Sequence, residues 1–504
     1  MSTLYSSHIF MFPFRFDWNE KGFKNKFKFY QENDIKNRLQ IDLLDKKLKK
    51  GEWQYEKFAI PGKDEKLLYN EYAYFYDYAR DAMYNLDEFD ENSISNFYRK
   101  KSYEGKTFSL EIKKENEVYK YKLVIDGVML RVFHTGVAIL SIELLNKEES
   151  QSDFEDIQRI NDYARRLYPQ YLGKDGIKNT KNSFLPNLVK IGDDEAENFE
   201  KESYDEIHIG KHILQVLGKD IFCLDKNKNG MFYIQPSLDD RMFVISWYGN
   251  DCLSKQLSTQ YCKDNDWYRY VFIDNGDITV KNDAMKERLL CEATYARWSD
   301  YGTLFGVTRY SFVLLTSSFE TLSKPYINAV FLTEHIKTMY FQFAILLLAN
   351  RTSILRFSDE VAAIASNKNK LTKLENLYDR YLTFYNRLYF KEVTHQDQGI
   401  ELYDKALKQM KIPEHIEKLD GKFTKLFDYA NLKQSNKESD AMNSLNLIVS
   451  ALGVTGLFIS IYSMGAFDFE NSLKPFWWAV GSSVLAGAIA LFGMYLYLKH
   501  AKEQ

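Results

Sequence analysis

Arg165 and Arg166 stand side by side in the stretch YARRLYPQYL, with Tyr168 and Tyr171 close behind. Two adjacent guanidiniums present forked donors that match phosphate oxygens, and a neighbouring aromatic ring offers a surface on which a base can stack. The competing reading is simple ion pairing with acidic neighbours such as Asp153 or Glu155. A second cluster, PSLDDRMF, sets Asp239, Asp240 and Arg241 in a loop ahead of a strand. Its carboxylates suit ribose hydroxyls or an amino group, or else cap a turn. Arg351 and Arg356, in NRTSILRFSDE, fall on opposite sides of a predicted helix and read as inter-helix ion pairs.

Other chemistry is excluded by spacing. The stretch DKNKNG (225–230) opens like a calcium-binding loop, but Pro236 holds the twelfth position, where a bidentate Glu is required. His208 and His212 are four apart in HIGKH and have no third ligand near them for zinc. Phosphate-binding glycine loops, nucleophile elbows and dinucleotide fingerprints are all missing from the sequence, so nothing in it argues for an enzyme or for a resident metal. Net charge is −3, which gives no basis for direct nucleic-acid binding. The four cysteines form no CxxC pair, and reduced thiols are expected.

The elements that must position these residues fall into three expected parts. Residues 1–324 read as an α+β domain. In HIFMFPFRF, Phe10, Phe12, Phe14 and Phe16 alternate as on a half-buried strand, and Pro13 favours a sheet edge. The segment 107–145 reads as an antiparallel meander with turns near 115–116, 126–127 and 135–136. Asp153–Tyr168 has helical spacing, and Tyr310–Thr316 reads as the last strand. Residues 325–440 read as a helical stalk: one helix over 327–365, a seam of Leu371, Leu374, Tyr378, Tyr381, Tyr385 and Leu388, and a further helix from Pro413. The apolar run Met339–Ala349 is too short to span a membrane and reads as a buried core helix.

Residues 441–504 read as a two-helix transmembrane hairpin. The runs 445–462 and 476–498 carry no charge. Their lengths of about 27 and 34 Å bracket the ~30 Å hydrocarbon core. Trp477, Trp478, Tyr495 and Tyr497 bound the second run as interfacial aromatics do. Lysines flank the pair on the outside, at 433, 437, 499 and 502, while the connecting loop holds Asp468 and Glu470 against Lys474. Both termini are therefore expected in the cytoplasm and the loop outside, with the chain in the inner (plasma) membrane. Along the first run, Asn443, Asn446, Ser450, Gly453, Leu457 and Ser460 recur at steps of three or four. This polar-or-small stripe should face water or partner helices, because lipid does not satisfy an amide. Helix packing alone is the alternative.

A large cytosolic domain, a long stalk helix, a first span, a short acidic loop, a second span and a basic tail follow one another in the order seen in the CorA divalent-cation transporters, which the chain resembles. Family members are homopentamers whose first span lines the pore and ends in Tyr-Gly-Met-Asn. Here the corresponding residues are Tyr462, Ser463, Met464 and Gly465. The resemblance thus implies a pore lined by the stripe and Met464, with Ser463, Gly465, Asp468 and Glu470 at its mouth. Gly465 lacks the family's amide, so magnesium selectivity does not carry over. The oversized N-terminal part, the lost Asn and the Arg165–Arg166 pair are similar to a divergent branch of CorA-like proteins found beside type III CRISPR systems. That branch implies an antiviral membrane effector gated by a nucleotide second messenger, S-adenosylmethionine joined to AMP (SAM-AMP). Two rivals stay open: a constitutive divalent-cation transporter gated by the metal, and a non-conducting membrane-tethered scaffold.

Overall fold

The computed structural model describes residues 3–19, 39–58, 71–114, 117–167, 185–199, 209–225, 228–238, 240–365 and 371–465, with Gly481 beyond them. The chain divides into two compact units, Met1–Phe423 and Thr424–Gln504. The helices that follow Pro325, up to residue 409, belong to the first.

The first unit is organised by one mixed sheet. Its centre is β1 (Ser6–Trp18), whose Phe10, Phe12, Phe14 and Phe16 are all buried on one face, as a period of two requires. Short strands β2 (Gln54–Tyr55) and β3 (Ser95–Arg99) precede the expected meander of β4 (Thr107–Lys114), β5 (Glu117–Phe133) and β6 (Val137–Asn146). The remainder are β7 (Leu188–Ile191), β8 (Glu197–Asn198), β9 (Phe222–Cys223), β10 (Phe232–Pro236), β11 (Phe243–Gly249), β12 (Thr294–Trp298), β13 (Thr303–Val307) and β14 (Ser311–Thr316). The main path runs β12-β13-β14-β11-β1-β6-β5-β4-β7-β8.

Two local expectations are corrected. β1 is interior rather than at an edge. β6 pairs along one side of it, and the other side pairs with β11 over Ser6–Met11 and then with β10 over Phe14–Trp18. Pro13 falls where the partner changes. Its carbonyl, which points the same way as its nitrogen, accepts from the Ser237 amide at 3.2 Å. The missing N–H therefore costs no ladder bond. Asp126–Gly127 is not a turn but a bulge within β5, where the register against β6 shifts between Ile125 and Gly127. The Thr135–Gly136 turn is present, with Gly136 at φ 78°.

The helices used below are α1 (Phe154–Ala164), α2 (Asn265–Phe272), α3 (Asp283–Ala293), α4 (Phe331–Lys337), α5 (Met339–Ala365), α6 (Leu371–Arg387), α7 (Asp397–Gln409) and α8 (Ile412–Gly465). The single helix expected over 327–365 is broken at Thr338, whose φ of −110° and ψ of −89° are non-helical. Every residue of α5 from Met339 to Ile354 is buried, which is why so apolar a run serves as core. The inter-helix role expected for Arg356 is corrected in part, since it reaches the sheet, while Arg351 donates to the Arg309 carbonyl in the turn between β13 and β14. Arg356 donates to the carbonyls of Phe16 and Gly136 at 3.1 and 2.7 Å and to Asp17 at 2.8 Å, besides pairing with Glu360 on its own helix.

The seam of α6 and the residue after it buries Leu374, Tyr381 and Leu388 as expected, with Leu377 and Phe384 buried beside them; Tyr378 is half-buried against Phe423, with ring centroids 5.2 Å apart, and Tyr385 is exposed. The seam meets the start of α8: Tyr381 and Phe423 have ring centroids 5.0 Å apart, and the Tyr381 hydroxyl donates to Asp420 at 2.6 Å. Of Ile416, Leu419, Phe423, Leu426 and Ala430, which recur at steps of three and four, all are buried except Leu426, which is half-buried. The expectation of reduced thiols is corrected at one pair. Cys262 and Cys291, on either side of α2, form a disulfide with Cα atoms 5.2 Å apart. Cys223 is buried and free, and Cys252 is exposed and free.

Candidate functional site

The two polar clusters that the sequence separates by seventy-odd residues meet in space. Arg165 and Arg166 lie at the C-terminal end of α1, and Arg241 stands two residues before β11. Backbone contacts lock them together. Arg166 and Arg241 form an antiparallel bridge, the Leu167 amide donates to the Asp240 carbonyl at 2.9 Å, and the Met242 amide donates to the Arg165 carbonyl at 2.7 Å. Asp239 lies outside the described residues.

The side chains there neutralise one another. One carboxylate oxygen of Asp162, three and four residues before the arginines, accepts from Arg165 Nε and Nη2 at 3.2 and 2.7 Å and from Arg166 Nη2 at 3.1 Å. Arg166 Nη1 donates to Asp240 at 2.7 Å, and Arg165 Nη2 also donates to the Ile273 carbonyl at 2.9 Å. The side chains of Arg165, Arg166 and Asp162 are only 3%, 4% and 2% exposed. Burial, the dominant cause, lowers the Arg165 pKa from its ordinary value, while Asp162 opposes the shift. Groups so deep are held by their partners, because parting a buried pair strands a charge. Asp162 and Asp240 hold this pair where Asp153 and Glu155 were considered from sequence. Glu155 pairs with Arg269 at 2.6 Å. Arg241 is the accessible member, its side chain 29% exposed and its Nε 3.5 Å from Asp240.

Three further sites were singled out by residue type. His212 is buried, and its Nδ1 lies 2.5 Å from Glu197, whose pKa falls to about 2 because hydrogen bonds and the imidazole charge outweigh desolvation. His208 lies outside the described residues, as do residues 226 and 227 of the calcium-like loop. No group of three or more metal-binding side chains occurs among the described residues. At the far end of β1, a cavity of about 260 Å³ is lined by Arg15, Asp17, Tyr233, Arg356, Asp359 and Glu360 among others. Its charges pair across it: Arg15 with Asp359, and Arg356 with Asp17 and Glu360.

In the second unit, α8 carries Asn443, Asn446, Ser450 and Gly453 exposed. Met442 is 61% exposed, Leu445 and Leu447 55% each, and Val449 63%. Leu457, Ser460, Ser463 and Met464 belong to the same helix, which ends at Gly465, but their side chains lie outside the described set. Asp468, Glu470 and the run 476–498 lie outside the described residues altogether. Among the described residues, no helix is long and apolar enough to cross a membrane. No protein-family model, curated protein or solved structure matches the chain.

Proposed function

We propose that the chain is a subunit of a homo-oligomeric CorA-like ion channel in the inner membrane, pentameric as the family resemblance implies, with the sheet unit in the cytoplasm as its sensor. The gating ligand in this reading is a nucleotide second messenger, SAM-AMP, and the role is that of a type III CRISPR antiviral effector. The observation that carries it is the surface of α8 beyond residue 440. Leu445 and Val449 are about 40° apart around a helix and Leu447 lies about 200° from Leu445, on the opposite side, yet all three are more than half exposed. A docking groove covers one stripe, whereas lipid and neighbouring copies cover every side. Asn443, Asn446 and Ser450 interrupt that apolar surface with groups that demand water or a hydrogen-bonding partner.

Gating would be a population shift, in which the ligand binds one arrangement of the sensor more tightly and biases α8. Moving from 1% to 99% open needs about 5.5 kcal/mol of differential affinity, which several occupied subunits can share. The test is ion flux through purified protein in liposomes with and without the nucleotide. Flux should rise with ligand, and Asn446→Leu or Ser450→Leu should cut it roughly tenfold while the oligomer stays intact, since a leucine there replaces a water-facing dipole with a dry ring. Flux indifferent to nucleotide but reduced by magnesium favours the metal-gated rival. No flux under any condition favours the scaffold.

A further inference from the structure

Asp126, Glu143 and Lys337 come together where α4 breaks into α5. Lys337, the last residue of α4, puts its Nζ 2.8 Å from Asp126 Oδ2 and 3.3 Å from Glu143 Oε1, so one ammonium serves two carboxyls. The bulge in β5 makes this meeting possible. Leu123 and Ile125 before it, and Val128 and Leu130 after it, belong to one hydrophobic core, as do Ile142 and Leu144 on either side of Glu143. Asp126 and Gly127 therefore fall on the opposite face of the sheet with Glu143, whose register partner is Gly127. A Cβ on Gly127 would lie 3.2 Å from Arg99 Nη2 and 3.7 Å from Glu143 Oε2, so a glycine lets these groups close in.

The side chains of Glu143 and Lys337 are 9% and 14% exposed, while Asp126 reaches the surface at 40%. Other charges around Glu143 are already engaged or more distant. Arg99, from β3, has its Nε 2.7 Å from Glu104, and Glu334 lies one turn before Lys337 on α4. On the other side, β1 sets the apolar Ile9 opposite Glu143. Two carboxyls held to one buried ammonium do not both ionise without cost, since burial and mutual repulsion act together. Thr338, directly after Lys337, is non-helical, so α4 can part from the sheet without unwinding α5. We infer that Asp126, Glu143 and Lys337 form a proton-operated latch on the α4–α5 corner, closed by one proton shared between the two carboxyls and loosened when that proton leaves.

The titration agrees with the geometry. Burial pushes the Glu143 carboxyl up to about 7, with Lys337 opposing and Asp126 adding to the rise. At Asp126 partial burial acts upward too, but the charge and hydrogen bond of Lys337 outweigh it and hold the group below its ordinary value. The closed corner thus binds the Glu143 proton more tightly than an open, hydrated one does. Closure is fully favoured below pH 4.5 and is lost as pH rises through 7. His335, also on α4, is buried with its pKa lowered to about 4 by burial, so it acts with the opposite sign and only in more acid solution. The latch is independent of what the second unit does.

The experiment is hydrogen–deuterium exchange on the full chain in detergent, read on peptides covering Phe331 to Gln342 and corrected for the intrinsic rate at each pH. With Glu143 at about 7 when closed and 4.5 when open, exchange should rise about fortyfold from pH 5 to 7 and level off above pH 8. Glu143→Gln, which resembles the protonated carboxyl, should keep the corner protected at every pH in that range. Asp126→Asn leaves Lys337 to Glu143 and should move the midpoint down by about one pH unit. Exchange indifferent to pH in the wild type, a wild-type curve in Glu143→Gln, or an unmoved midpoint in Asp126→Asn would each overturn the latch.

Discussion

His8 sits in the middle of β1 with no solvent exposure, its Nδ1 2.7 Å from Asn161 Oδ1 and its Nε2 2.9 Å from Ser6 Oγ. That network assigns the proton to Nδ1, which donates to Asn161, while Nε2 accepts from Ser6. Burial holds its pKa down to about 4, against 6.5 when exposed. Between those values the unfolded chain binds a proton that the folded chain refuses, so the contribution is fully present above pH 6.5 and is lost as pH falls toward 4. Between pH 7.5 and 5 the loss is about 2 kcal/mol. Denaturant midpoints should show this slope in the wild type and a shallower one in His8→Gln; equal slopes would dismiss His8 as a pH-sensitive group. Asp162 makes a stronger demand. Asp162→Asn takes the shared carboxylate away from two buried guanidiniums and should destabilise the first unit by about 3–5 kcal/mol. A midpoint unchanged from the wild type would show that the cluster is wetter than its burial implies. The spacing of Asp162 to Arg165 and Arg166 was open to reading in the sequence. What spacing alone did not carry was the depth that turns surface pairing into a buried brace, or the arrival of Asp240 from another segment.

At the level of elements, period was the reliable guide and partnership was not. The alternating phenylalanines of β1, the 107–145 meander, the buried run at Met339 and the stripe Ile416–Leu419–Phe423 all follow from residue periodicity, which a chain displays locally. Pro13 was misread because its tolerance depends on where a neighbouring strand stops, and no local pattern records that. Likewise, Phe384 displaced Tyr385 from the α6 seam, since a hydroxyl can stay at the surface while phenylalanine gains from full burial. The Cys262–Cys291 pair is another case: a separation of 29 residues carries no recognisable motif. Closing a loop of that length should stabilise the α2–α3 region by about 2–4 kcal/mol. Cys291→Ser should lower the unfolding midpoint, and dithiothreitol should bring the wild type down to meet it. If the reductant leaves the wild-type midpoint where it was, the bond contributes nothing. Because such bonds are uncommon in reducing compartments, counting reactive thiols in freshly lysed cells also tests the cytoplasmic placement of the sheet unit.

For the whole molecule, the decisive asymmetry is where apolar surface remains uncovered. Within Met1–Phe423 the exposed large apolar side chains fall at separate places on strands, helices and loops, such as Tyr78, Val118, Met285 and Leu382, with a short group at Tyr326, Ile327 and Phe331. In the second unit they follow one another along a single helix: Tyr429, Leu432, Met442, Leu445, Leu447 and Val449. Scattered apolar residues are ordinary for a water-soluble surface, whereas a continuous run needs a cover. A fragment ending at residue 423 keeps the buried anchors Ile412, Ile416, Leu419 and Phe423, which hold the base of α8 to the first unit, and it sheds the run. That fragment should therefore be soluble, folded and monomeric by light scattering, and the full chain should need detergent and elute as an oligomer. A fragment that aggregates would place essential packing beyond residue 423. A full chain that stays monomeric in plain buffer would remove the reason for lipid or partner copies around α8, and the channel reading with it.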